Sequence, residues 1–530
     1  MDILEIETSL IDLQTELDKV LPFADPSISI LVKSQNLLFK NLMSMTSDLK
    51  KQNDEMQQQN KMLLSTIADL QETINDLKRQ LNQNSQNSSK PPSADGYKRP
   101  KPKSMREKSG KKPGGQKGHA GAHMTVPHAP DETVLHYPKK CQKCKFLQRC
   151  INSENAFECA EKRYEADIEF RTVVTEHQAM KVCKCMRGPQ LCGARAEFPD
   201  GINSRVRYGD NFAVLCSILN TYGAVSHSRI ATIIRNIAGV SLSEGTVNSM
   251  VARCADKVED AVDKTKKLLQ ESAVVHFDET GVRVGGRLHR VHNSSSGRYT
   301  YLTVSQKRGE AGIADNGVLP AFGGVAVHDC WASYFNFEIA GHAVCGVHLL
   351  REMNCVIENE NLQTWAAKFK DFLLKWLKTT KEYLANGINE LPDEKIKSFE
   401  NEYDEIIKIA ETEFPEPKPD ASAKKRGRPK KGRVRALIER LIKYKDAVSR
   451  FVRDLAVPFD NNQAERDVRN IKTKAKVSGC FRSEDGAKNY LKIMSYIGTA
   501  AKNGINAYDA LVAAFKGNSD IIFAQQGSEQ

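Results

Sequence analysis

The stretch SAVVHFDET, residues 272–280, predicts an α/β fold, because it is an apolar, β-rich run that ends in an acid, Asp278. A second apolar run, GGVAVHDC at 323–330, likewise ends in an acid, Asp329. The stretch between them has the pattern of two strands joined by a turn at 293–297. Residues just past the carboxyl ends of strands lie at the functional edge of such a sheet, so the two aspartates can converge on cations.

A third acid follows in the segment PFDNNQAERDVRNIKTKAKVSG, residues 458–479. Asp460 or Asn461 can cap a helix here, and Glu465 then lies in its first turns. Phosphodiester cleavage needs an activated oxygen nucleophile and a stabilised leaving oxyanion, which two Mg²⁺ ions held by carboxylates can supply. Taken singly, each acid is better explained as a surface residue or a cap. The order of strand and Asp, strand and Asp, then helix and Glu on a basic chain indicates a catalytic triad instead.

Basic residues follow the third acid closely and are expected to contact DNA: Arg466, Arg469, Lys472 and Lys474. The whole chain is basic too, since its 530 residues include 78 Lys and Arg against 66 Asp and Glu, a net charge of +12. A basic surface attracts polyanions such as DNA. There is no run of the roughly 18 apolar residues that a membrane span needs and no signal-peptide layout, so a cytoplasmic, nucleoid-associated protein is expected.

Residues 31–83 predict a long helix with a heptad repeat. The d positions are Leu49, Met56, Leu63, Leu70 and Leu77, and the a positions are Asn53, Asn60, Ile67, Ile74 and Leu81. Such a seam favours a coiled coil in a homodimer or higher oligomer. The alternative is a single helix that packs on its own protein.

Residues 84–123 form a basic segment that is nearly free of large apolar side chains. Its cations are Lys98, Arg99, Lys101, Lys103, Arg106, Lys108, Lys111, Lys112 and Lys117. This composition predicts a flexible arm, because the segment buries too little apolar surface to offset the entropy lost on ordering. The arm either contacts DNA phosphates in a salt-sensitive way or serves as a soluble linker.

Residues 124–200 contain seven of the thirteen cysteines: Cys141, Cys144, Cys150, Cys159, Cys183, Cys185 and Cys192. The pairs Cys141–Cys144 and Cys183–Cys185, with a strand-like run at 166–177 between them, resemble the two knuckles of a zinc ribbon. Cys192 is an alternative ligand in the second pair. A knuckle that has lost its metal, or buried free thiols, would give the same residues.

Residues 225–254 break at Gly239 between two amphipathic segments, with Ser241 or Ser243 placed to cap the second. This is the layout of a helix-turn-helix that reads the major groove, and equally of an ordinary helical hairpin.

The long interval before the third acid predicts a helical insertion, because most of 345–413 is amphipathic. A basic stretch at 414–433 interrupts it, and there Arg426 and Arg428 resemble an AT-hook core that enters the minor groove. A solvated basic loop explains them equally well.

Two features close to the second acid have more than one interpretation. Cys345 and His348 have the spacing of metal ligands, but a pair alone favours a structural or substrate-positioning role. Trp331 either packs or stacks on a flipped base.

Four segments resemble the successive motifs of the insertion-sequence sixty-six family of bacterial DDE transposases: HFDETGVRV at 276–284, VHDCWASY at 327–334, CGVHLLRE at 345–352 and the basic segment at 458–483. The arm, SSKPPSADG to KKPGGQKGHAG, resembles the family as well, and the resemblance extends over about 35–515. The pair Cys183–Cys185 is spaced more tightly than the family's knuckles.

The resemblance implies that Asp278, Asp329 and Glu465 are the acidic triad of an RNase-H-like core that binds Mg²⁺ or Mn²⁺. It further implies a leucine-zipper-like N-terminus, a zinc-finger-like DNA-binding region with structural Zn²⁺, and small accessory transposition proteins as partners.

The expected architecture is multidomain α/β, with an RNase-H-like catalytic core divided by a helical insertion. Its segments are a coiled-coil region 1–83, a basic linker 84–123, a zinc-ribbon-like module 124–200, a helical DNA-binding region 201–270, core 271–344, insertion 345–457, core 458–515 and a tail 516–530.

The expected function is that of a transposase, which cleaves and joins DNA at the terminal inverted repeats of its element and at target DNA. Two alternatives are a DNA-binding regulatory or accessory protein without catalysis and an RNase-H-like nuclease. The predicted coiled coil and the several DNA-binding segments together favour a transposase, because a transposase must hold two DNA ends at once during synapsis.

Overall fold

The computed structural model describes residues 3–23, 25–84, 86–88, 129–153, 157–181, 195–199, 202–359, 364–416 and 432–524. They form two compact units, one built mainly from the first 85 residues and the other from most of the rest of the chain. Several predictions concern residues outside these ranges: most of the basic arm with Lys101, Lys103, Lys111 and Lys112, the AT-hook-like Arg426 and Arg428, and Cys183, Cys185 and Cys192.

The first unit contains helix α1, Ile3–Val20, and the long helix α2, Pro26–Asn82. The helix predicted from the heptads is therefore confirmed, and it begins earlier because Asp25 caps it, accepting a 2.9 Å hydrogen bond from the Ser27 amide. Seam residues such as Leu63 and Leu70 are 58% and 56% exposed. Pairing with a second chain stays a prediction.

The cysteine-rich region contains two short helices, α3 at Lys139–Gln142 and α4 at Leu147–Ile151. The prediction of a strand at 166–177 was wrong. The described residues of this region form only one isolated bridge, between Lys181 and Arg195. Alternating apolar residues form a strand only where the backbone finds a partner strand. Here Val174 is 87% exposed.

Four helices precede the sheet: α5 Asp210–Thr221, α6 His227–Ala238, α7 Glu244–Lys257 and α8 Glu259–Gln270. The predicted break at Gly239 is confirmed, since this glycine ends α6 with a φ of 67°. Ser243 caps α7 by accepting a 3.0 Å hydrogen bond from the Thr246 amide. The helical pair is thus present, with one face of α7 buried, and DNA reading by α7 stays a prediction.

One mixed sheet forms the centre of the second unit. Its strands are β1 Val274–Val284, β2 Arg287–Ser295, β3 Thr300–Ser305, β4 Val325–His328 and β5 Gly341–Val344. The strand order is β3-β2-β1-β4-β5; β1 to β3 are antiparallel, whereas β4 and β5 run parallel to β1.

Two expectations about these strands were wrong in detail. Strand β1 does not end at Asp278 but continues to Val284, because its second half pairs with β2. The next turn lies at 296–299 rather than 293–297, and Asn293 is a buried residue within β2.

The remaining helices are α9 Glu310–Asn316, α10 Gly346–Asn359, α11 Trp365–Ala385, α12 Asp393–Glu413, α13 Arg433–Lys443, α14 Lys445–Arg453, α15 Asn462–Asp467, α16 Arg469–Ser478, α17 Glu484–Lys502 and α18 Ala507–Phe515. Short 3₁₀ helices lie at Leu21–Phe23, Leu319–Ala321, Ala332–Asn336 and Ser519–Phe523. Among the described helices, none combines the length and apolar character that a membrane crossing requires.

Helix α17 covers the outer strand β3. The edge amide of Leu302 donates to Ser495 Oγ at 2.9 Å, and that of Thr300 donates to Thr499 Oγ1 at 3.1 Å. An uncovered edge would leave these amides without partners. Helices α10 to α14 share a separate aromatic core that includes the fully buried Trp365, and the helices expected within 345–413 are confirmed.

Candidate active site

The two aspartates lie at the same level on neighbouring strands. In the parallel pair β1–β4, His276 is opposite Val327, and the aspartates each follow two residues later in their own strands. Asp278 is thus within β1 and Asp329 directly follows β4. Both line a cleft of about 360 Å³.

The helix that carries Glu465 is held in place by Asn293, the cross-strand neighbour of Asp278. Asn293 pairs with Asp278 across β1 and β2, and its Nδ2 donates to the carbonyl oxygen of Ala464 at 3.2 Å. Ala464 immediately precedes Glu465 in the short helix α15. The strand pairing therefore holds the start of α15 next to the first aspartate.

Asn461 provides a second tether. It is 2% exposed, its Nδ2 donates to the Phe277 carbonyl at 2.7 Å, and its Oδ1 lies 2.9 Å from His276 Nδ1. Its backbone amide donates to Cys345 Sγ at 3.2 Å, and its carbonyl accepts from the Glu465 amide. Asn461 lies at the cap position of α15 as expected, but its side chain bonds β1 and makes no cap hydrogen bond.

The sequence does not reveal this tether, because an asparagine before a helix indicates a cap unless the contacts across the fold are known. A polar pair just ahead of Glu465, Asn461 and Asn462, is the only local signal, and it does not distinguish a tether from a cap.

Burial dominates the electrostatics of the cleft. The pKa of Asp278 is raised to about 7, chiefly by burial; Lys472 and the Glu279 amide oppose the rise, and the nearby carboxylates of Asp329 and Glu465 add to it. Burial also raises the pKa of Asp329, which the neighbouring His348 partly counteracts. Asp278 is thus within electrostatic reach of both other acids.

His348 lies on α10 beside the acids. Its Nε2 is 4.0 Å from Glu465 Oε1, and its buried Nδ1 has no hydrogen-bond partner among the described residues. Cys345 is buried and its sulfur accepts from the Asn461 amide. These contacts fit a positioning role for the pair.

Three arginines also line the cleft: Arg290, Arg308 and Arg440. Arg440 comes from α13 and bonds Glu352 at 2.8 Å, so the helices after β5 contribute to the cleft. The guanidinium of Arg308 lies 5.2 Å from the centre of the Trp331 ring. Trp331 also packs edge-on against Tyr334 at 5.9 Å, in agreement with a packing role.

The basic residues after the third acid divide into two groups. Arg466, Arg469 and Lys472 are exposed, as a DNA contact requires. Lys474, in contrast, is only 7% exposed, donates to the Val225 carbonyl at 3.3 Å and lies 5.6 Å from the Tyr490 ring centre. Lys474 therefore does not lie on the same open surface as Lys472, because two residues along a helix place side chains on nearly opposite faces. Its DNA contact stays a prediction.

The donor chemistry of the cleft fits a hard divalent cation, which prefers carboxylate oxygens. Buried carboxylates that repel one another are costly unless a cation compensates them. Within the described ranges, however, no three or more His, Cys, Asp or Glu side chains already form a cluster that could hold an ion. Bound cations would have to draw the three carboxylates closer together.

Comparison with known protein families identifies the chain. Residues 213–489, just over half of the sequence, match the family model described as Transposase IS66 family, and this range includes Asp278, Asp329 and Glu465. The chain is therefore a transposase. It belongs to the IS66 family, which confirms the resemblance seen in its motifs.

Residues 44–125, which include much of α2 and the basic arm, match a family of unknown function. No curated protein matches the chain.

Proposed function

We propose that this transposase binds the ends of its insertion sequence and catalyses divalent-metal-dependent DNA strand cleavage and strand transfer with Asp278, Asp329 and Glu465. The observation that carries the proposal is the register of β1 and β4, which aligns the two aspartates, together with the tethers that hold α15 beside them. Asp278 and Asp329 line the same cleft and Glu465 lies within electrostatic reach of Asp278; phosphodiester chemistry with two metal ions needs carboxylates of this kind.

The scaffold is proposed to be an RNase-H-like core. Its support is the five-stranded sheet of three antiparallel strands followed by two parallel ones, with the acids on β1, after β4 and in a later helix. The helices between β5 and α15 then form the insertion.

Mg²⁺ or Mn²⁺ would be held by the carboxylates of the three acids and would supply an activated attacking oxygen and a stabilised leaving oxyanion. The protein orients these carboxylates. The Glu279 amide donates to Asp278 Oδ1 at 2.8 Å, and the Trp331 amide donates to Asp329 Oδ1 at 3.1 Å. His348 lies beside Glu465 and limits its freedom to turn away.

Contacts with the DNA backbone are proposed for the exposed Arg466, Arg469 and Lys472, which follow Glu465 directly. Basic residues of the arm and the AT-hook-like loop add contacts to the element ends and target DNA: Lys101, Lys103, Lys111, Lys112, Arg426 and Arg428.

Assembly is proposed to use the exposed seam of α2 to form a homodimer or higher oligomer, with accessory transposition proteins as further partners. A structural Zn²⁺ ion held by Cys141, Cys144, Cys183 and Cys185 is proposed for the cysteine-rich region.

The test uses DNA that carries the inverted repeats flanking the gene, incubated with the full chain and Mg²⁺. Asp278→Asn, Asp329→Asn and Glu465→Gln are each expected to abolish end cleavage and strand transfer while end binding is retained, because the carboxylates hold cations and touch no bases. Asp485→Asn, at an exposed acid of α17, is the matched control and should keep full activity.

Mg²⁺-dependent cleavage by any one triad variant would remove that residue from the proposed triad. Hydrolysis without joining by the unmodified chain would indicate a nuclease, and end binding without cleavage would indicate a regulator.

A further inference from the structure

A second cleft, of about 570 Å³, lies apart from the acidic one in the same compact unit. It opens where α6, α7 and α17 begin and where α16 ends. Its charged and titratable lining residues are His227, Arg229, Glu244, Lys474 and Arg482. With three cations and one carboxylate, the lining favours an anion.

The exposed charges of this cleft are available to a ligand. Arg482 is paired with Glu244 at 3.5 Å, but their side chains are 91% and 51% exposed, so water screens the pair strongly. Burial lowers the pKa of His227, and the charges of Lys474 and Arg482 lower it further. The two cations thus act on His227 in the same sense, and Glu244 opposes them.

Lys474 is the buried cation of the cleft. Its ammonium has three protons, and within the described residues its one hydrogen bond goes to the Val225 carbonyl, at 3.3 Å. A buried ammonium without a carboxylate partner is costly, and a phosphate oxygen would compensate it through a short, charge-assisted hydrogen bond. Ser478 Oγ, a buried atom with no partner among the described residues, belongs to the same lining.

The start of α6 adds backbone donors. Ser243 caps α7 and Ser483 caps α17, but Ser226 makes no side-chain cap hydrogen bond to the 12-residue helix α6. The first amides of α6 therefore remain available, and a helix start of this kind favours phosphate. Buried ammonium, exposed guanidinium groups and free amides together match a phosphodiester.

We propose that this cleft binds the phosphodiester backbone of the DNA on which the transposase acts, outside the acidic cleft; this rests on the proposed function in taking DNA as the substrate. Lys474 projects from α16 into this cleft, whereas Lys472, two residues earlier, projects from nearly the opposite side, and its charge lowers the pKa of Asp278.

The first experiment measures DNA binding in EDTA, so that catalysis plays no part. A fluorescent duplex is titrated with the full chain at several salt concentrations. The variant Arg229→Gln with Arg482→Gln is expected to reduce the slope of log Kd against log salt by about 1 for each phosphate that it no longer neutralises. The matched control, Arg235→Gln with Lys257→Gln, removes two exposed charges from the far ends of α6 and α7 and should keep the slope.

The second experiment locates the DNA directly, using the exposed thiol of Cys480 in the lining. Alkylation of Cys480, followed by peptide mass spectrometry, is expected to slow several-fold when DNA is added to the unmodified chain, but not when DNA is added to the Arg229→Gln/Arg482→Gln variant. Inorganic phosphate serves as a second probe.

The second site would be overturned if the cleft variant and its control show the same salt slope and DNA leaves Cys480 reactive. DNA binding by the unmodified chain would then leave the proposed function intact. Protection of Cys480 by phosphate but not by DNA would overturn the strand assignment. No DNA binding by the unmodified chain would overturn both proposals.

Discussion

Asn461 is expected to be essential for placing the third acid, and the substitution Asn461→Ala tests this. In the structure the amide nitrogen donates to the Phe277 carbonyl at 2.7 Å, so the amide oxygen faces His276 Nδ1, which then carries the proton. Alanine leaves the Phe277 carbonyl and His276 Nδ1 without their partner in a buried site.

The magnitude follows from the two atoms left unpaired. Each unpaired buried polar group costs about 1–3 kcal/mol, so the free energy of unfolding should fall by about 2–6 kcal/mol. Asn462→Ala, at the exposed neighbour, should leave it nearly unchanged. Urea unfolding of both variants, followed by circular dichroism, measures the difference.

Catalysis should suffer more than stability alone explains. The Asn461 carbonyl accepts from the Glu465 amide, so a shift of this residue moves the carboxylate. A displacement of about 1 Å costs about 100-fold in rate. End cleavage at a temperature where both variants are folded is the assay, with end binding as the internal standard. Equal stability and equal cleavage for the two alanine variants would refute the tethering role.

Three further predictions concern other parts of the molecule. Because burial raises the pKa of Asp278 from 3.8 to about 7, the metal-free fold should lose stability as the pH rises through that range. Asp278→Asn should therefore raise the melting temperature in EDTA at pH 8 but not at pH 4. Gly346→Ala should lower the melting temperature, because a Cβ there would clash with the Phe459 ring; a much smaller loss when Gly346→Ala is added to a Phe459→Ala chain would confirm the clash, and an unchanged melting temperature in the single variant would contradict it. Charge at the α2 seam, in Leu63→Glu with Leu70→Glu, should dissociate the oligomer in sedimentation velocity without unfolding the second unit; a persistent dimer would place the interface elsewhere.

Local sequence was sufficient for the features that depend on neighbouring residues. The heptads predicted α2, Gly239 and Ser243 predicted the end of α6 and the start of α7, and the runs before Asp278 and Asp329 predicted β1 and β4. In each case the deciding feature involves residues that are close together in the sequence: a helix cap, a glycine in the left-handed conformation, or an apolar run.

The transposase family was also accessible from sequence, because its motifs are contiguous blocks and a family match needs no knowledge of contacts. The expected strand at 166–177 failed for the opposite reason. Strand formation depends on a partner strand, and the alternating pattern cannot show whether one is present.

Only the tertiary structure decided how the candidate site is built. The register of β1 with β4 aligns the two aspartates, and Asn293 and Asn461 bring α15 to them across more than 160 positions of sequence. The same holds for Lys474, whose place in a basic run suggested an open surface, whereas α16 turns it into a separate cleft. Pairings between distant segments depend on the packing of the whole core, and a local pattern does not contain that information.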